Sequence, residues 1–72
     1  MNFDDFDRAM KENGFMKGEQ GAFVKFSTGV SYLIVDYLKV NDELAWVAHI
    51  EKSGWKATTA ITLSYVKEVV KL

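Results

Sequence analysis

The 72 residues carry nine basic and ten acidic side chains, a net charge of −1, a single histidine and neither cysteine nor proline. The lack of cysteine excludes disulfides and thiolate metal centres, and the near-neutral charge argues against a nucleic-acid binder driven by net charge. One domain over residues 1–72 fits this length. A chain this short buries only about 60% of its unfolded surface, so a dense core or association with a second chain is expected in place of a staple.

Residues 3–13 read as an amphipathic helix. Asn2 is a good N-cap, and Asp4 and Asp5 fall in the first turn, where negative charge suits the helix dipole. Phe3, Phe6 and Met10 recur on one helical face. Asn13-Gly14 ends the helix, and Phe15 follows where an apolar contact back onto it is expected. Asp4, Asp5 and Asp7 are read as capping and solvating charges, because hard cations want carboxylates converging from several segments. Residues 16–21, MKGEQG, read as a flexible connection.

The middle of the chain is a series of short β segments separated by Thr28-Gly29, Asn41-Asp42 and Ser53-Gly54. Treated as two-residue hairpin loops, these turns predict a four-stranded antiparallel meander. One face then holds Val24, Phe26, Leu33, Val35, Tyr37, Leu44, Trp46, Ala48, Ile50 and Ile61, with the helix as its cover. A three-residue Ser27–Gly29 loop is the alternative for the first turn and slips that register by one. The fold class is α+β: a helix packed on one face of the meander. Residues 64–72 are open to two readings. Val66, Val69 and Val70 have helical spacing behind a Thr62 or Ser64 cap, which favours a short C-terminal helix, whereas valine itself favours a strand and Ile61, Leu63 and Tyr65 alternate as one would.

On this register the reverse face is also apolar. Phe23, Tyr32, Ile34, Leu38 and Val47 lie there among Lys25, Asp36, His49, Glu51, Lys56 and Thr58, and apolar surface rimmed by polar groups marks interaction sites. The expected function is therefore a small, non-enzymatic protein-binding or regulatory module that uses this face for a protein partner or for self-association as a homodimer. The alternative is a single-stranded nucleic-acid-binding module, with Phe23 and Tyr32 as stacking platform and Lys25 and Lys56 as phosphate contacts. Asp36 and Glu51 on the same face oppose it.

His49 has no cysteine or serine in a nucleophile motif to activate, and the glycines form no phosphate-binding loop. No catalytic residue, metal ligand or cofactor site is expected. No apolar run approaches the ~18 residues of a membrane span. The acidic start MNFDDFD is unlike a signal peptide, so the expected location is cytoplasmic.

Overall fold

A computed structural model describes all 72 residues. The α+β class holds: one helix, α1 (Phe3–Glu12), precedes an antiparallel sheet of β1 (Ala22–Phe26), β2 (Ser31–Lys39), β3 (Leu44–Ile50), β4 (Lys56–Thr62) and β5 (Val66–Lys71). The sheet order is β4-β3-β2-β1-β5. The sheet thus has five strands where four were expected, and the expected C-terminal helix is replaced by a 3-10 turn, Leu63–Tyr65, and the strand β5. The reason is pairing. β1 would otherwise leave one edge open, and the β-branched Val66, Val69 and Val70 fit opposite Phe26, Val24 and Phe23.

The helix follows the local signals of its sequence. Asn2 Oδ1 accepts the Asp5 N–H at 2.8 Å. At the other end the Phe15 N–H bonds the Met10 carbonyl at 3.0 Å and the Gly14 N–H bonds that of Lys11 at 3.2 Å, the paired bonds that close a helix on a glycine. Residues 16–21 fold back on themselves. Met16 and Gln20 exchange backbone hydrogen bonds of 2.9 Å in both directions.

All three hairpin loops are one residue longer than the two-residue reading. The first follows the Ser27–Gly29 alternative, pairing Val24 with Tyr32 and Phe23 with Leu33. The third pairs Ile50 with Lys56 across a Lys52–Gly54 loop. A two-residue type I′ turn needs positive φ at both central residues, which Thr28 and Ser53 do not supply. Instead Gly29 (φ 91) and Gly54 (φ 87) take the single left-handed position that ends a three-residue loop. At the second turn Asn41 Oδ1 accepts the N–H groups of Glu43 and Leu44 at 2.8 and 2.9 Å, holding a three-residue loop without glycine.

One further irregularity decides which residues face inward. The β2–β3 register shifts between Ile34 and Asp36, leaving Val35 as an extra residue. Asp36 Oδ1 takes up the Tyr37 N–H at 2.8 Å. Such a bulge reverses the side-chain alternation, so Ile34 and Tyr37 point to the same side. The helix-facing core is Phe6, Met10, Ala22, Val24, Phe26, Ile34, Ala45, Val47, Ile61 and Leu63. Of the residues expected on this side, Val24, Phe26, Tyr37 and Ile61 are there. Leu33, Leu44, Trp46, Ala48 and Ile50 lie on the opposite side, the outer face.

The sheet cannot be flat. Edge strand β4 reaches the opposite edge strand β5 through Leu63–Tyr65 alone. Four peptide steps span at most about 14 Å, whereas five flat strands put their edges about 19 Å apart. The sheet therefore curls around the core, with α1 closing its inner side and Leu63 fully buried in the join. Tyr65 accepts the Ser27 N–H at 2.8 Å, tying the join to β1.

Tyr37 locks the helix to the sheet. The rings of Phe15, Phe6 and Phe3 lie 4.7, 5.2 and 6.1 Å from its own, and its hydroxyl donates to Asp7 at 2.7 Å. That bond, with Lys11 at 2.9 Å, holds the Asp7 carboxyl below its ordinary 3.8. Burial and the same bond push the Tyr37 hydroxyl above its ordinary 10. The Asp7 contribution is therefore complete above pH 3.8 and lost as pH falls through the lowered value. The Tyr37 contribution is complete below pH 10 and lost as pH rises through the raised one. Tyr37→Phe should cost about 1 kcal/mol at pH 7, below the roughly 1.5–3 kcal/mol of a bond to a charged group because Asp7 is partly exposed. Thermal melts should show a Tm lower by roughly 4–8 °C. The gap to wild type should narrow below pH 3.8, and a gap constant through that limb would contradict the assignment.

Candidate functional site

The outer face carries a row of apolar side chains that crosses four strands. Val70 pairs with Phe23, Phe23 with Leu33 and Leu33 with Ile50, so these four stand side by side on one surface. A second group follows along β3, where Trp46 lies between Leu38 of β2 and Ala60 of β4. Leu38 is 58% exposed, Trp46 44% and Phe23 38%. Lys25, Asp36, Lys56 and Glu68 stand among and around these groups. Lys25 pairs with Glu68 at 3.4 Å, and Lys17 of the 16–21 turn reaches Asp36 at 4.0 Å.

The structure divides the expected partner-contact residues. Phe23 and Leu38 are on the outer face and exposed. Ile34 and Val47 are fully buried under the helix, which corrects their placement on an outside surface. The slipped turns and the Val35 bulge exchange the two faces around them. Tyr32 is half-buried on the inner side, packed on Phe26 at 5.3 Å and stacked on His49 at 4.2 Å with the rings 9° apart. Leu33, Trp46, Ile50 and Val70 were missed as outer-face residues. Val70 has a place there only because residues 66–71 form a strand.

The four residues proposed for nucleic-acid contact are not assembled into one platform. Phe23 and Lys25 face outward and Tyr32 inward, since Phe23 pairs with Leu33 rather than with Tyr32. Lys25 is engaged by Glu68, and Lys56 stands three strands away from it, beside Ile50.

An open cleft of about 700 Å³ lies beside the β3–β4 turn, bordered by Ser31, Tyr32, His49, Glu51, Thr58 and Thr59 and by Phe23, Leu33 and Ile50 of the outer-face row. His49 is buried in its wall. No side-chain hydrogen bond links Ser31, His49 and Glu51, so the cleft holds no paired nucleophile and base. No three His, Asp or Glu side chains converge on one point. No helix is long and apolar enough to cross a membrane. Comparison with protein-family models, with curated proteins and with solved structures finds no match.

The two faces are separable by substitution. Ile34→Asp places a charge in a fully buried apolar site and should abolish the cooperative thermal transition. Leu38→Asp, at an exposed outer position, should leave stability within about 0.5 kcal/mol. Equal effects of the two in far-UV circular dichroism melts would refute this assignment of faces.

Proposed function

We propose that this chain is a small, non-enzymatic protein-binding module that docks a partner protein on the outer face of its sheet. Phe23, Leu33, Leu38, Trp46 and Ile50 carry the contact. The observation behind this reading is the row Val70–Phe23–Leu33–Ile50 with the neighbouring Leu38–Trp46 pair. Side chains that pack no core are here gathered on one surface rather than scattered, and a polar rim surrounds them.

The chemistry fits a protein partner better than a nucleic acid. Exposed aromatic side chains flanked by aliphatic ones are the anchors on which protein interfaces concentrate their energy, tryptophan foremost. The lysines on this face are balanced by Asp36 and Glu68, which weakens any attraction for phosphate. The curled sheet presents the surface from strands rather than from mobile loops, so little ordering entropy opposes binding.

Trp46→Glu and Phe23→Glu should each leave the thermal midpoint within a few degrees of wild type, because both side chains are exposed. Each should weaken capture of the partner, identified from cell extract by mass spectrometry, by roughly thirtyfold or more in a binding titration. Glu12→Lys, exposed on the solvent side of α1 and in no ion pair, is the matched control. A partner held equally by wild type and Trp46→Glu would contradict the reading, as would one lost with Glu12→Lys. Single-stranded oligonucleotides titrated at low salt should give a flat response.

A further inference from the structure

The two free edges of the sheet are built differently. β5 carries Lys67, Glu68 and Lys71 within six residues, the charged dressing by which edge strands avoid pairing with other chains. β4 runs seven residues, KATTAIT, with one charge at its start. It follows β3 residue for residue without a bulge. Beyond its ends the Glu51 N–H bonds the Trp55 carbonyl at 2.9 Å and the Leu63 N–H bonds the Glu43 carbonyl at 2.8 Å. Both bonds keep the β3–β4 register. Antiparallel alternation between them turns the backbone groups of Ala57, Thr59 and Ile61 toward β3 and those of Lys56, Thr58, Ala60 and Thr62 outward. No backbone group of the chain meets these outward positions, and the Thr59 hydroxyl leans on the Ala60 carbonyl at 3.5 Å.

We propose that β4 is a strand-addition edge and that its occupant is a second copy of this chain, antiparallel about a two-fold axis at Thr59. In that register Thr58 faces Ala60 of the other copy and Lys56 faces Thr62, so the strand's one charge never meets itself. Thr59 faces Thr59, a pairing of hydroxyls that cross-strand neighbours favour. The register also brings the Trp55 end of one copy against the Leu63–Tyr65 turn of the other. Trp55 and Tyr65 are 75% and 55% exposed, and the contact covers both. The β5 edge offers no such match. This inference goes beyond the proposed partner site, since it uses the backbone of an edge and leaves the outer face free.

A charge exchange tests both the edge and the register. Thr58 and Ala60 are exposed, so variants there keep the fold. In Thr58→Lys/Ala60→Lys each lysine meets a lysine of the other copy. In Thr58→Lys/Ala60→Glu each lysine meets a glutamate. Sedimentation equilibrium over a concentration series should give twice the 8.2 kDa mass for wild type and for the Lys/Glu variant. It should give the single mass for the Lys/Lys variant, with an unchanged circular dichroism spectrum. The Thr58 and Ala60 amides should exchange slowly in the dimer and fast in the Lys/Lys monomer. A wild type of single mass at every concentration would overturn the proposal, as would a Lys/Lys variant that still doubles. If only partner capture is lost with Trp46→Glu while the mass stays doubled, the edge stands and the outer face is tested on its own.

Discussion

The extra residue at Val35 is the constraint on which the rest of the structure depends. Without it, Ile34 and Tyr37 would point to opposite sides of β2, and either the core or the helix contact would lose its central residue. With it, Ile34 fills the core beside Ala22 and Val24, and Tyr37 reaches the helix, where it meets three phenylalanine rings and Asp7. The Asp36 side chain takes up the Tyr37 N–H at the irregularity, which limits the cost of interrupting the ladder. A single inserted position thus lets one strand serve the core along part of its length and the helix along the rest.

The same residue explains how far the sequence can be read. The helix was legible because its signals are local. Asn2, the Phe3–Phe6–Met10 spacing and Gly14 each specify their own neighbourhood. The meander was legible in outline because turn residues punctuate it. The faces were not, because a face depends on counting. One residue more in each loop and one in β2 reverse the alternation between them, and no residue type announces a bulge. For Ile34 and Val47 the consequence is burial in place of exposure. The final strand was hidden for a different reason. Three valines at helical spacing also suit a strand, and only the vacant edge of β1, a feature of the folded sheet, decides between the two.

Strand β2 carries apolar side chains in both directions; before the bulge Tyr32, Leu33 and Ile34 take the sides opposite to those expected, and after it Tyr37 and Leu38 keep theirs. The inner set is sealed by the helix and the curl of the sheet. In the outer set, Phe23, Leu38 and Trp46 are exposed, whereas Leu33 and Ile50 are half-buried beside the 16–21 turn. In a molecule this small, residues placed on the outside are withheld from a core that has few to spare. Their number on one face, with Phe23, Leu33 and Ile50 reaching the cleft beside His49, is the physical reason to look for an interaction there.

The short join through Leu63–Tyr65 bears on how the molecule assembles during synthesis. β5 docks beside β1, the first strand made, so a chain still emerging from the ribosome holds its opening hairpins with one flank bare and the barrel-like curl unsealed. Completion must wait until residue 71 has cleared the exit tunnel. Until then the nascent molecule exposes strand surfaces that the folded one conceals, which leaves it open to faulty pairing.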